Sequence, residues 1–198
     1  MPKTAVLMID LQNEVLHPDG NLRGDLSAVA DGLIESVRRL VAWAREQGLP
    51  VIWVKNAFRP GLVDAARRVR EGTAATAGRF VDGSWGAEIL DGLGRLADDA
   101  VITKKRSSAF FSTDLDLVLR GLGVERLIVG GTSTNWAIES TVRDGDSRDY
   151  EMVVVREATG ARIRELHEPS LRSMASRYAQ VCSLAEVLVL ADASRPSG

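Results

Sequence analysis

An open α/β sheet with helices on both faces is the fold class the sequence predicts, and two observations predict it. Short apolar runs rich in Val and Ile recur along the chain, and stretches with helical periodicity lie between them. The 198 residues, 45% of them hydrophobic and 26% charged, hold enough apolar material for one core, so a single domain spanning 1–198 is expected.

Each element follows from its own residues. The runs Thr4 to Ile9, Pro50 to Val54, Ala100 to Thr103, Arg126 to Val129, Met152 to Val155 and Ala179 to Cys182 are apolar at successive positions, as in strands covered on both faces. Within Ala28 to Gly48, residues Val29, Leu33, Ile34, Val37, Leu40, Val41 and Trp43 repeat at helical spacing, and Gly48-Leu49-Pro50 ends the helix. Leu115 to Leu122 and Glu165 to Tyr178 carry similar stripes, and Gly61 to Gly72 a weak one. Such alternation requires crossover connections and therefore parallel strands. The rest of Asn56 to Asp99 is Gly-rich loop, and connections that long inside a compact domain are usually functional.

Charge and composition exclude several classes. Lys plus Arg (25) against Asp plus Glu (27) leave a formal charge of -2, which gives no reason to expect nucleic acid or an anionic membrane as partner. Cys182 alone makes no internal disulfide, and His17 and His167 alone make no ordinary zinc site. Cys182, in mid-strand, reads as an inert buried thiol, His17 as a turn residue and His167 as surface. The apolar run before Asp10 is too short for a signal or a membrane span, so a cytoplasmic protein that acts on small molecules is expected.

In open α/β sheets the ligand sits beyond the carboxyl ends of the strands. The residues found there are Asp10, Gln12 and Asn13; Lys55, Asn56, Phe58 and Arg59; Lys104, Lys105 and Arg106; and the turn Gly130-Gly131-Thr132-Ser133-Thr134-Asn135. A carboxylate and a lysine ending different strands can form a buried pair in which the lysine keeps the carboxylate ionised as a proton acceptor. The Gly-Gly turn matches no phosphate-binding loop, and Thr134 or Asn135 is expected to cap the helix after it. Arg59 is expected to pair with an anionic substrate group, and Phe58, Trp85 and Trp136 to wall an apolar pocket.

Three motifs together resemble the isochorismatase-like cysteine hydrolase superfamily. They are Val6-Leu7-Met8-Ile9-Asp10-Leu11-Gln12-Asn13, then Lys104 through Phe111, then Gly130 through Asp144. The resemblance implies a three-layer α/β/α fold on a mainly parallel six-stranded sheet. It also implies an Asp, Lys and Cys triad acting on C–N bonds of amides, ureas and carbamoyl compounds, and a homodimer or homotetramer. By motif the triad falls on Asp10, Lys104 and Ala137. It places an oxyanion turn with a cis peptide at Thr132, Ser133 and Ala137, and Gln12, Phe110 and Asn135 join the substrate-binding set. Nicotinamidase-like members carry metal ligands after the second strand. Val54 to Gly61 has neither Asp nor His, so no metal and no cofactor are expected.

Ala137 departs from the family's pattern. A methyl group neither attacks a carbonyl nor carries an acyl group. Three readings remain: an amidohydrolase pocket in which Ala replaces the Cys, a nucleophile-free hydrolase of the vinyl-ether type with Asp10 as proton carrier, and a silent binding protein. Thr134-Asn135 and Glu139-Ser140-Thr141 look more like the amidohydrolase members.

Overall fold

The computed structural model describes residues 2–24, 26, 29–71 and 80–189. In chain order the elements are β1 (Thr4–Ile9), α1 (Asn13–Leu16), α2 (Ala30–Glu46), β2 (Val51–Asn56), α3 (Arg67–Glu71), β3 (Val101–Lys104), α4 (Leu115–Leu122), β4 (Arg126–Thr132), α5 (Glu139–Asp146), β5 (Glu151–Gly160), α6 (His167–Ala175), β6 (Gln180–Cys182) and α7 (Leu184–Val189). The strands form one six-stranded sheet in the order β3-β2-β1-β4-β5-β6. Every ladder is parallel, so the sheet expected to be mainly parallel is wholly so among the described residues.

The sheet divides the core in two because successive side chains of a strand point to opposite faces. Val6 and Met8 of β1 join Trp53, Ile128 and Val155 on one face, where Leu33, Val37, Leu40 and Val41 of α2 and Val187 of α7 pack. Ala5, Leu7 and Ile9 join Ile52, Ile102, Leu127 and Val154 on the other, under Leu115 and Leu119 of α4, Val142 of α5 and Leu171 and Met174 of α6. Burial on both faces explains why β1 reads as an unbroken apolar run.

The strands outrun the apolar runs at their carboxyl ends. β2 continues through Lys55 and Asn56, which pair with Thr103 and Lys104 of β3, and β5 continues to Gly160 opposite Thr132. Of the residues at these strand ends, Asn56, Lys104 and Thr132 line one cavity. The helix expected from Ala28 begins at Ala30, and Ala28 itself lies outside the described residues. Glu165 to Tyr178 resolves into a 3₁₀ turn at Arg164–Leu166 and then α6, whose first turn holds Pro169 where no N–H is needed. The weak pattern after Gly61 yields a 3₁₀ turn at Pro60–Leu62 and the short α3, while Gly72 lies outside the described residues.

The chain steps outward from β1 through β2 to β3, then returns to the other side of β1 with β4. That reversal leaves a crevice between the carboxyl ends of β1 and β4, where open sheets of this kind bind ligands.

Candidate active site

Asp10 follows β1 with φ at 52°, a left-handed conformation that Asp tolerates better than most residues. Its N–H donates to the Val54 carbonyl at 2.9 Å, and its own carbonyl accepts from Thr132 Oγ1 at 2.9 Å. The backbone at Asp10 is therefore fixed from both neighbouring strands. Lys104, the last residue of β3, is 3% exposed and reaches past β2 to place Nζ 2.8 Å from Asp10 Oδ2. Nζ also donates to the Arg106 carbonyl at 3.1 Å. Asp10 Oδ1 is buried with no hydrogen-bond partner. Burial pushes the Asp10 carboxyl above its ordinary value of 3.8, and Lys104 pulls it only part of the way back. A carboxylate so placed is a stronger base than an exposed one.

Gly131 lets β4 come this close to β1. Its φ is +126°, and a Cβ there would stand 2.0 Å from the Ile9 carbonyl oxygen. The Thr132–Ser133 peptide that follows is cis. Thr134–Ile138 then form a wide π-type turn into α5, and the Ser133 carbonyl accepts from the N–H of Trp136 at 3.0 Å and of Ile138 at 3.2 Å. Neither Thr134 nor Asn135 caps this turn as expected; no side chain does. Thr134 Oγ1 lies instead 2.9 Å from His167 Nδ1. His167, expected at the surface, is half-buried against the turn, and burial pushes its pKa below 6.5 so that the ring is neutral at pH 7.

Ala137 is buried, and its position is held from behind. Its carbonyl accepts from Thr141 Oγ1 at 2.7 Å, and Thr141 Oγ1 in turn accepts from the Ala109 N–H at 2.9 Å. Two residues on, Glu139 accepts from Arg143, Ser170 and Ser173, which ties α5 to α6. Burial raises the Glu139 carboxyl, but these hydrogen bonds outweigh it and hold the pKa below 4.5.

A cavity of about 330 Å³ opens over this crevice, at the lower end of the range for small-molecule sites. Of the residues expected from sequence, Asp10, Lys104, Ala137, Thr132 and Ser133 line it, together with Gln12, Phe58 and Trp136. Gln12 also serves the framework. Its Nε2 donates to the carbonyls of Asn56 at 2.9 Å and Ala87 at 2.6 Å, and its Oε1 accepts from the Asn56 N–H at 2.9 Å. The expected long loop is tied to the site through this side chain.

Four expected residues are not among those that line the cavity. Phe110 is buried in the core beneath α4 and α5, stacked 5.7 Å from Tyr150, because the chain after Lys104 turns inward there. Arg59 is exposed and paired with Asp64 at 3.4 Å. Trp85 is 49% exposed, edge-on to His17 at 5.0 Å. Asn135 is half-buried in the π-type turn with its Oδ1 unpartnered.

The walls also include residues that were not singled out in the sequence: Val15, Leu22, Arg68, Val69, Phe80 and Arg162. Arg162 follows the carboxyl end of β5, where the rule for open sheets would have found it had the strand been extended past Val155. Arg68 comes from the weakly patterned segment and carries no such signal. Among the described residues, no group of three or more His, Cys, Asp and Glu gathers into a metal-binding set. No helix among them is long and apolar enough to cross a membrane.

The fold and this arrangement have counterparts. A solved cysteine hydrolase from Pseudomonas syringae pv. phaseolicola matches with a TM-score of 0.88 at 27% identity, covering 98% of this chain and 94% of that one. N-carbamoylsarcosine amidase from Thermoplasma acidophilum matches at 0.77 with 25% identity over 99% of each chain. Ureidoacrylate amidohydrolase RutB of Methylobacterium radiotolerans is 32% identical over 198 aligned residues, 92% of this chain and 77% of that protein. A protein of Arabidopsis thaliana named a probable inactive nicotinamidase is 36% identical over 86% of this chain and 87% of its own. The isochorismatase domain model matches residues 4–186, from the first residue of β1 into α7. On that match, and on the wholly parallel sheet that carries it, the chain belongs to the isochorismatase family of hydrolases.

Proposed function

We propose that the protein hydrolyses a C–N bond in a small ureido or carbamoyl compound by direct attack of water, with Asp10 as proton carrier and Lys104 as its counter-charge. The observation that carries this reading is Asp10 Oδ1, buried and without a partner in a cavity where residue 137 offers only a methyl group. A buried acceptor left unmatched costs about 1–3 kcal/mol, and a bound water that donates to it removes that cost. In the proposed step the water oxygen bonds to the substrate carbonyl carbon while its proton passes to Asp10 Oδ1. The main-chain N–H groups at Ser133 and Ala137 are the donors we assign to the developing oxyanion. The C–N bond then breaks, and the proton on Asp10 moves to the leaving nitrogen. One water is consumed and no acyl-enzyme forms.

The bond class is supported by the names of the amidohydrolase and amidase relatives and by the Thr134-Asn135 and Glu139-Ser140-Thr141 motifs. The test is turnover of a panel of ureido, carbamoyl and amide compounds, with vinyl ethers beside them. The unmodified protein is expected to release amine or ammonia, and Asp10→Asn to lose roughly 10²–10⁴ of the rate. Because the base acts deprotonated and its pKa is raised, the acid limb of the rate profile is expected above pH 3.8 and absent in the variant. Ala137→Cys is expected to be alkylated at residue 137, beside Lys104, and to gain activity through an acyl-enzyme.

A second reading, a binding protein on the same cavity, is favoured by the methyl at 137 and by the relative named as inactive. Tight ligand binding with no turnover by either protein selects it. We propose further that the chain assembles as a homodimer or homotetramer. Exposed Phe111, Leu117 and Trp136 support it, since apolar side chains of that size gain by being covered.

A further inference from the structure

We infer that His167 is a positioning residue: by holding Thr134 from α6 it keeps the turn at 134–138 wide, and the wide turn leaves the Ala137 N–H free for a bound ligand. The geometry stands without the hydrolytic reading, and only the use of that N–H as an oxyanion donor rests on it.

An ordinary α-helix running through this point would commit the N–H of residue 137 to the carbonyl of residue 133. The turn does not do so. The Ser133 carbonyl accepts from the N–H of Trp136, three residues on, and of Ile138, five residues on, and the Ala137 N–H between them is passed over. The Glu139 N–H likewise reaches five residues back to the Thr134 carbonyl, as well as to that of Trp136. The wide ring therefore spares one donor, and it belongs to a residue that lines the cavity.

Turns of this width are rare, because the four-residue spacing of the α-helix is the better-packed alternative. A hold from outside the turn opposes the tightening. Thr134, where the turn begins, is completely buried, and α6 grips it twice. His167 Nδ1 stands 2.9 Å from Thr134 Oγ1, and Ser170 Oγ donates to the Thr134 carbonyl at 3.3 Å. The second contact is long, and the same hydroxyl also donates to Glu139, so His167 is the firmer hold. Its own place is fixed by the 3₁₀ turn at Arg164–Leu166 before it and by Leu171 and Met174 of α6, which are buried in the core. His167 is not among the residues that line the active-site cavity, so it reaches a ligand only through the turn. Without it, the turn tightens until the Ala137 N–H donates to the Ser133 carbonyl, and the donor is spent inside the protein.

The experiment follows hydrogen exchange at the Ala137 amide by NMR in the wild-type protein and in His167→Leu, His167→Asn and Thr134→Val. The valine is isosteric with threonine and removes the same hydrogen bond from its other end, so the test survives if the leucine variant folds poorly. His167→Leu and Thr134→Val are each expected to slow exchange at Ala137 roughly tenfold or more, with β1 and β4 unchanged. His167→Asn, whose side-chain amide replaces Nδ1, is expected to restore the wild-type rate. The same substitutions are then assayed for turnover of ureido and carbamoyl compounds, in the wild-type protein and in Ala137→Cys. In whichever background turns over, Leu and Val are expected to lower kcat about tenfold or more with KM nearly unchanged. The double variant is expected to lose no more than either single one, and Asn to recover most of the rate. Exchange at Ala137 that is unchanged or faster in both variants overturns the inference, as does a loss that falls on KM with kcat intact. Slowed exchange without turnover in either background upholds the hold on the turn and overturns the hydrolytic reading. Turnover with exchange unaltered does the reverse.

Discussion

A carboxylate with one oxygen on a lysine and the other on nothing is costly to bury, and at Asp10 the fold accepts that cost where two strands are pinned together. Gly131 is what permits the pinning. Gly131→Ala is expected to destabilise the protein by on the order of 3 kcal/mol or more, because the added methyl meets main-chain atoms that have no room to retreat. Gly121→Ala, in α4 with nothing within 4 Å of the new Cβ, is expected to stabilise by about 0.5–1 kcal/mol, and urea titration of both separates the two cases. Asp10, Lys104 and the Thr132 turn were legible in the sequence because residues just past apolar runs in parallel sheets face one edge. Arg68 was not, since a cation on a short helix looks the same whether it faces solvent or a cavity. Phe110 misled for a related reason: it sits six residues past Lys104 in the same motif, yet the chain turns into the core between them.

At the scale of elements, the site depends on how the turn at 134–138 is propped. α6 supports it through His167 on Thr134 and through Ser170 and Ser173 on Glu139. Glu139→Gln is expected to cost about 1–3 kcal/mol near neutral pH, since the charged acceptor of several hydrogen bonds is lost. The sign with pH is fixed by the lowered pKa. The folded state holds Glu139 ionised to a lower pH than the unfolded chain does, so its contribution is full above 4.5 and fades as the pH falls further. The gap between wild type and variant should therefore close on acidification, as thermal unfolding across that range will report. Helix periodicity gave α2 and α4 to within a few residues, because each buries one continuous stripe. It gave α6 poorly, as Pro169 and the 3₁₀ turn before it interrupt the stripe. The sequence carried no sign that the turn at 134 would be propped from α6 and not capped by its own side chains, since the partners lie in a segment far along the chain.

For the molecule as a whole, the six-stranded order was readable only as far as parallel strands and crossovers; which strand sits beside which depends on long-range pairing that no local pattern records. The proposed assembly is checked by light scattering, where a dimer or tetramer mass is expected across concentrations and a strict monomer at high concentration counts against it. The pairing of Thr4 with Arg126 has a further consequence, for synthesis on the ribosome. At roughly 5–20 residues per second, β1 waits on the order of ten seconds for β4 to be made, with one apolar edge open throughout. β2 reaches β1 much earlier, and β3 brings Lys104 next, so the charged pair exists in outline before the crevice beside it has a second wall. A nascent chain stalled before β4 would present an uncovered hydrophobic strand carrying a half-built ion pair, the kind of surface that chaperones hold.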